Sequence, residues 1–158
     1  MPPLSDDDLR IAPATADELD ELLPLIAGYQ RFYGATSPDD ARNREFFGQF
    51  IDPSELGSML GAWQGDKPVG YAGLHWTFTS ISATEVVLLN DLFVIEDARG
   101  AGVGRRLIEA TVAIARERGA PKVRWWTELD NRRAQALYES TGADRSAWFE
   151  YELDSGAG

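Results

Sequence analysis

Three glycines lie between two patterned segments in the stretch Arg99-Gly100-Ala101-Gly102-Val103-Gly104-Arg105-Arg106. A mostly apolar run over residues 85–94 precedes the stretch and predicts a buried strand, and the apolar spacing over residues 103–114 predicts an amphipathic helix. Glycine lets a backbone approach a ligand closely because it has no Cβ. The amide groups and the dipole at a helix N-terminus favour an anion. The stretch therefore predicts a phosphate site at the start of a helix.

The spacing of these glycines excludes two common phosphate motifs. A dinucleotide fingerprint, G-x-G-x-x-G, needs a glycine in its sixth place. Counted from Gly100, that place is Arg105. Counted from Gly102, it is Leu107. A Walker loop needs a Gly-Lys pair, which the sequence lacks, and residues 95–98 make the connection longer than a Rossmann turn. Neither motif is therefore expected here.

The chain is acidic, with 158 residues and a formal net charge of −11. A general nucleic-acid binder presents a basic face, so this balance predicts no nucleic-acid partner. Residues 1–60 carry 12 acidic and 4 basic side chains, whereas residues 101–158 carry 9 of each. The first half would attract cations, and the second could hold an anion near Arg99, Arg105 and Arg106. The alternative is that the acidity only keeps the protein soluble.

Cysteine is absent, and histidine occurs once, at His75. The sequence therefore predicts no disulfide, no cysteine nucleophile and no metal site. The N-terminus lacks the basic start and apolar stretch of a secretory signal, and the longest strictly apolar runs, such as residues 86–89, fall far short of a membrane span. These features predict a cytoplasmic protein with no membrane partner. One domain over residues 1–158 is expected, with flexible ends at residues 1–9 and 154–158.

Helix signals dominate the first third of the chain. Residues 15–18 have capping-box spacing and predict a helix that fades near Gly28, which leaves Tyr29, Phe32 and Tyr33 in the connection that follows.

A second helical region follows this connection. Ser37 as the N-cap and Pro38 at the first helical position predict its start. The region is expected in two pieces, over residues 39–50 and 54–60.

Strand signals begin at Gly61. The predicted elements from there are strands over 62–64, 69–78 and 85–94 with a hairpin loop at 65–68, a helix over 103–119, a strand over 123–127, a helix over 131–140 and a last strand over 148–153. Three consecutive strands imply an antiparallel meander, and the strand–helix–strand crossover implies a parallel pair. The predicted fold class is therefore α+β, with a mixed and mostly antiparallel sheet in a layered domain.

The pattern Arg99-x-x-Gly102-x-Gly104 matches the acyl-CoA motif, Q/R-x-x-G-x-G/A, of the GNAT N-acetyltransferases. Residues 90–94 resemble that family's fourth strand, and residues 131–138 resemble its later motif. The resemblance covers about residues 61–153 and is greatest to the polyamine acetyltransferases and to the yeast histone and D-amino-acid acetyltransferases. It implies a three-layer α/β/α fold whose central parallel strand pair is splayed to admit acyl-CoA.

The resemblance implies acetyl-CoA as the co-substrate and no metal. The pyrophosphate of CoA would bind the amides of residues 99–104, and the pantetheine arm would add to the strand that ends at Val94, as a peptide adds to a sheet edge. Asn131 would bind the pantetheine, cap its helix, or do both. The alternative is a glycine-rich helix start with no ligand. The implied cofactor-binding residues are Leu92, Phe93, Val94, Arg99, Gly100, Ala101, Gly102, Val103, Gly104, Arg105, Asn131 and Ala134.

The reaction that the resemblance implies is attack of an amine on the acetyl thioester, which needs a base for the ammonium proton and an acid for the CoA thiolate. Tyr138 is the implied acid, and the alternative is a core tyrosine. Asp91 and Glu128 are equal candidates for the base, and a water chain is a third option. Polyamine acetyltransferases carry a glutamate where this chain has Asn90, which cannot take a proton. Strand alternation leaves open which face Asp91 occupies, and His75 is expected to be a half-exposed strand residue.

Acceptor specificity in the family comes from the first two helices and their connection. That region here holds Tyr29, Phe32 and Tyr33 among many carboxylates, and such a lining suits a cationic amine. With Asn90 they are the candidate substrate-binding residues, although the aromatic side chains could equally belong to the core.

The activity implied is acetyl transfer to a primary amine of a small, cationic acceptor, such as a polyamine or an amino acid, by direct attack in a ternary complex. Two alternatives stay open. One is a non-enzymatic acyl-CoA-binding regulatory module, and the other is acetylation of a lysine in a protein or histone tail. A homodimer is compatible with the resemblance.

Overall fold

The computed structural model describes residues 8–158, whose contacts group into two units. One unit ends at Trp126, and the other runs from Thr127 to Gly158. A single domain over the whole chain therefore stays a prediction. None of the described helices is long and apolar enough to span a membrane.

The first unit is built on a five-stranded sheet in the order β1-β2-β3-β4-β5. The first three pairings are antiparallel, and β4 and β5 are parallel, which confirms the predicted mixed sheet. Its elements are β1 (Leu9–Pro13), α1 (Ala16–Phe32), α2 (Asp40–Gly48), β2 (Gly57–Gln64), β3 (Lys67–Thr79), β4 (Thr84–Val94), α3 (Val103–Glu117) and β5 (Val123–Arg124), with a 3-10 turn at Glu96–Ala98.

Helices cover both faces of the sheet. Tyr71 on β3 pairs with Phe93 on β4, and a Cβ on Gly28 of α1 would lie 3.0 Å from the Phe93 ring. Gly70 faces the opposite side of the sheet, because a Cβ there would lie 3.2 Å from the Val103 side chain of α3. The sheet therefore lies between α1 and α3, as the three-layer prediction requires.

Helix α1 begins as predicted but ends later. The Thr15 hydroxyl accepts from the Glu18 amide at 3.2 Å, and the Glu18 carboxylate accepts from the Thr15 amide at 3.1 Å. The prediction that the helix fades near Gly28 is wrong, because α1 continues to Phe32 and Tyr33 caps it. A glycine inside a helix costs only about 1 kcal/mol, and here it allows close packing against Phe93. The residues assigned to the connection are therefore part of the last turn of α1.

The second helical region is shorter than predicted. The N-cap of α2 is Asp39, whose side chain accepts from the Arg42 amide at 3.1 Å, so neither Ser37 nor Pro38 has its predicted role. The predicted helix over 54–60 is wrong, because residues 57–64 form β2 between β1 and β3. Strand pairing on both sides overrides the local capping pattern.

The first strand, β1, was not predicted, and it begins at the last residue of the predicted flexible end. Leu9 pairs with Gln64, and β1 continues to Pro13 along the edge of β2. The prediction of a flexible end is therefore wrong for Leu9, and residues 1–7 lie outside the described part of the chain. The guanidinium of Arg10 lies 4.1 Å from the centre of the Trp63 ring, which adds a cation–π contact to the strand pairing.

The second unit contains α4 (Arg132–Ser140). Asn131 is its N-cap and accepts from the Ala134 amide at 3.2 Å, which confirms the predicted helix start. The predicted strand over 148–153 is wrong, and its large apolar side chains are 85–96% exposed. A strand needs a neighbour to complete its hydrogen bonds, and the described residues of this unit include no other strand.

Candidate active site

A β-bulge in β4 determines the direction of the Asp91 side chain. Gly73 pairs with Asp91 and the next residue of β3, Leu74, pairs with Leu89, so Asn90 is an extra residue in the strand. Regular alternation would place Asp91 on the same face as Leu89. The bulge instead places Asp91 on the α1 face of the sheet, together with Phe93.

The Asp91 carboxyl group is buried, with 5% of the residue exposed. Burial raises its pKa to about 6, although hydrogen bonds from Tyr29 and Asn90 act in the opposite direction. The Asn90 side-chain amide donates to Asp91 Oδ1 at 2.9 Å. Gly73 leaves space for the other oxygen, since a Cβ there would lie 3.0 Å from Asp91 Oδ2. The site therefore holds a carboxyl group that titrates close to neutral pH.

Three aromatic side chains at the end of α1, which we call the α1 aromatic row, lead outward from this carboxyl group. Tyr29 packs edge-on against Phe93 and the buried Tyr71, with ring centres 6.5 Å and 6.2 Å apart. The ring of Tyr33 lies 4.9 Å from that of Tyr29, and the ring of Phe32 lies 5.1 Å from that of Tyr33. Tyr33 and Phe32 are 51% and 60% exposed. The row thus begins in the core at Tyr29 and ends at the surface.

The glycine loop precedes α3 as predicted. Gly100 and Gly102 have φ angles of +85° and +81°, in the left-handed region that glycine adopts at low cost. A Cβ on either glycine would meet no atom within 4 Å, so both face open space. The Arg106 amide makes the first helical bond, to the Gly102 carbonyl at 3.1 Å. The glycine loop therefore leads directly into the N-terminus of α3, and a helix N-terminus is a favourable place for a phosphate.

Arg99 connects the glycine loop to the end of β4. Its Nε donates to the Val94 carbonyl at 3.0 Å, and its guanidinium lies 5.9 Å from the centre of the Phe93 ring. Leu92 and Val94 alternate with Phe93 and therefore face α3. The loop and the Asp91 site are thus held on one short segment of the chain.

The parallel strands β4 and β5 pair over only two positions. Val87 pairs with Val123 and Leu88 with Arg124, whereas β4 continues to Val94. The strand predicted over residues 123–127 is therefore shorter than expected. An extended ligand can add to a strand edge through main-chain hydrogen bonds, and the unpaired part of β4 leads towards the glycine loop.

The second unit carries the other predicted site residues. Glu128 is exposed, and its carbonyl accepts from the Asn131 amide at 3.1 Å and from Gln135 Nε2 at 3.0 Å. Asn131 and Ala134 form the cap of α4, so the capping role predicted for Asn131 is present. Tyr138 lies on α4 and is half-buried.

Sequence reasoning missed two residues of the site, Tyr71 and Gly73. Period-2 alternation places both on one face of β3, but only the bulge brings Asp91 opposite Gly73.

His75 stacks on Phe50 with ring centres 4.8 Å apart, and burial lowers its pKa. Within residues 8–158, no three His, Asp or Glu side chains are grouped so that they could hold a metal ion.

Residues 20–143 match the family model described as the acetyltransferase (GNAT) family. An uncharacterized N-acetyltransferase of Bacillus subtilis, YhfO, is 32% identical over 141 residues, which cover 89% of this chain and 93% of that protein. The D-amino-acid N-acetyltransferase HPA3 of Saccharomyces cerevisiae is 39% identical over 112 residues, covering 70% and 69%. A crystal structure of a probable acetyltransferase superposes with a TM-score of 0.81 at 32% identity, covering 94% of this chain and 99% of the other.

The family model and these relatives show that the chain belongs to the GNAT acetyltransferase family. It is an N-acetyltransferase, and this family uses acetyl-CoA. The resemblance in the sequence covered about residues 61–153, whereas the family-model match also includes most of the first two helices.

Proposed function

We propose that this enzyme transfers the acetyl group of acetyl-CoA to a primary amine of a small cationic acceptor, with Asp91 as the base. The observation that carries the proposal is the buried Asp91 carboxyl group beside the α1 aromatic row. The amine nitrogen attacks the thioester carbon in a ternary complex. A carbon–nitrogen bond forms, the carbon–sulfur bond breaks, the ammonium proton goes to Asp91, and the thiolate takes a proton from Tyr138.

The choice of base follows from the proton that must be removed. An alkyl ammonium has a pKa of about 10.4, so its deprotonation at pH 7 costs about 4.6 kcal/mol. A base works best when its pKa lies near the working pH. Burial brings the pKa of Asp91 to about 6, whereas Glu128 is exposed to solvent. Asp91 is therefore the better of the two candidates that the sequence left equal.

The acceptor class follows from charge and shape. A carboxylate attracts an ammonium group, and aromatic faces attract a cation within about 6 Å of the ring centre. The α1 aromatic row places two such faces at the surface and one beside Asp91. A small amine could therefore enter along Phe32 and Tyr33 and present its nitrogen near Tyr29. The yeast relative is named as a D-amino-acid N-acetyltransferase, so D-amino acids should be tested as acceptors alongside polyamines.

Binding of acetyl-CoA is proposed along β4 and the glycine loop. The loop amides and the start of α3 would hold the pyrophosphate. The edge of β4 beyond Leu88 would pair with the pantetheine arm.

Substitution of Gly102 by alanine tests this assignment. An L-residue in the left-handed region costs about 1–2 kcal/mol, so the loop should leave its binding shape and raise the KM for acetyl-CoA about tenfold. Gly119→Ala is the matched control, because Gly119 has a φ of +73° at the other end of α3 and is equally open. It should lower Tm without changing that KM. If Gly102→Ala and Gly119→Ala have the same KM for acetyl-CoA, the proposed role of the glycine loop is contradicted.

The acceptor class is tested by measuring thiol release from acetyl-CoA across polyamines, amino acids of both hands, aminoglycosides and a histone-tail peptide. The chain has no cysteine, so a thiol reagent meets no protein background. We expect turnover with small cationic amines. Turnover with the peptide alone would favour a protein lysine as the acceptor. Acetyl-CoA binding without any turnover would favour the regulatory module.

Tyr33→Leu tests whether the α1 aromatic row contacts the acceptor. Loss of one exposed cation–π contact, worth about 0.5–1 kcal/mol, should raise the acceptor KM by roughly two- to fivefold while kcat is retained. Phe78→Leu is the control, because Phe78 is an exposed aromatic residue near the end of β3. An equal effect of both substitutions, or none, would remove Tyr33 from the acceptor site.

A further inference from the structure

The hydroxyl group of Tyr71 has a position that the proposed function does not explain. Tyr71 is fully buried, and its hydroxyl has no hydrogen-bond partner among the described residues. Buried hydroxyl groups nearly always have a partner, either in the protein or in an ordered water. We therefore expect this hydroxyl group to have a hydrogen-bond partner in the working enzyme.

The groups around Tyr71 come from α1 and β4. Tyr29 packs edge-on against its ring from α1, and Phe93 lies opposite it on β4. Asp91 lies opposite Gly73, the next residue of β3 on the same face, and Asn90 donates to the Asp91 carboxylate.

Burial and the nearby charge of Asp91 raise the pKa of the Tyr71 phenol. The phenol therefore stays protonated and remains a hydrogen-bond donor at neutral pH. Gly73 carries no side chain, so the Asp91 carboxylate occupies the space next to Tyr71 on this face, with Oδ2 3.0 Å from where a Cβ of residue 73 would lie.

We propose that Tyr71 is a positioning residue for the base, and that its buried hydroxyl and the Asp91 carboxylate hold one water molecule between them. This inference rests on the proposed role of Asp91. The water accepts the ammonium proton as it passes one of its own protons to Asp91. One N–H bond and one O–H bond break, and two O–H bonds form. Tyr71 keeps its proton and donates a hydrogen bond to the water throughout.

Tyr71→Phe removes only the hydroxyl and tests the proposal through the pH dependence of kcat/KM. A hydrogen bond that supports the charged carboxylate lowers its pKa, so its loss should move the acid limb upward by about half to one pH unit. The KM for acetyl-CoA should stay within about twofold. Tyr151→Phe, at an exposed tyrosine of the second unit, is the matched control and should leave the limb in place.

A second measurement needs no acceptor. The Asp91 carboxyl group can be titrated by carbon NMR in the wild type and in Tyr71→Phe, with thermal unfolding as a check of the fold. The same upward shift is expected. An unchanged carboxyl titration and an unchanged acid limb would overturn the proposal and leave Tyr71 as a core residue.

Asp91→Asn, measured in parallel, separates failure of this proposal from failure of the proposed function. If that variant loses the acid limb while Tyr71→Phe keeps the wild-type limb, only the role of Tyr71 is wrong. If the limb persists in Asp91→Asn, Asp91 is not the base and both proposals are wrong.

Discussion

Replacement of Asp91 by asparagine should lower kcat/KM by roughly 10²- to 10⁴-fold, the usual effect of losing a general base. Asparagine keeps the shape of the side chain but cannot accept the proton. The wild-type profile should rise through a pKa of about 6, the value that burial gives this carboxyl group. The variant should lack that rise. Initial rates with the best acceptor of the panel, from about pH 5 to pH 9, measure both effects.

The same substitution should stabilise the fold above pH 6. The pKa of Asp91 is about 6 in the folded protein, against about 3.9 for an unfolded aspartate. The folded state binds the proton more tightly, so the free energy of unfolding falls as pH rises from about 4 to about 6. The charged side chain then costs up to about 3 kcal/mol. Asp91→Asn should therefore raise Tm near pH 8 and change it little near pH 4.

Two control variants complete this test. Asp66→Asn removes an exposed carboxylate from the turn between β2 and β3, and should change neither turnover nor Tm. Glu128→Gln should keep turnover within about twofold if Asp91 is the base. A large loss in Glu128→Gln with little loss in Asp91→Asn would transfer the role of base to Glu128.

Replacement of Tyr138 by phenylalanine should lower turnover at least about tenfold while the affinity for acetyl-CoA stays unchanged. A phenol hydroxyl group is a proton and hydrogen-bond donor, so it can donate to the departing CoA thiolate. Phenylalanine keeps the ring and loses only the donor. Single-turnover rates and the Kd for acetyl-CoA, measured on the same preparation, separate chemistry from binding.

Tyr151→Phe is the control for this substitution as well, since Tyr151 is exposed in the same unit. Unchanged turnover in Tyr138→Phe would remove Tyr138 from the reaction. A rise in the Kd for acetyl-CoA that matches the fall in turnover would assign Tyr138 to cofactor binding instead.

Local signals predicted the parts of the fold that depend on neighbouring residues. The capping box at Thr15 and the Asn131 cap are such cases, because a side chain and an amide three residues apart form each of them. The glycine loop is another, since Gly100 and Gly102 adopt the left-handed backbone that glycine favours.

Features that depend on distant pairing could not be predicted in this way. Residues 57–60 follow a helix-start pattern, yet β1 and β3 pair on both sides of them and make them a strand. The direction of Asp91 depends on the extra residue Asn90, and nothing in the local pattern marks a bulge there. The position of Asp91 opposite Gly73 and near Tyr71 was therefore not predictable from the local pattern.

The bulge in β4 also affects how functional residues are transferred between relatives. A homologue can have an aspartate two positions after its counterpart of Leu89 in a β4 strand that pairs regularly, with no bulge between the two residues. Its aspartate would then point towards α3, because regular alternation returns every second side chain to the same face. Equivalence in an alignment column is therefore insufficient evidence of a shared base. Annotation of related sequences should first establish whether β4 contains the inserted position.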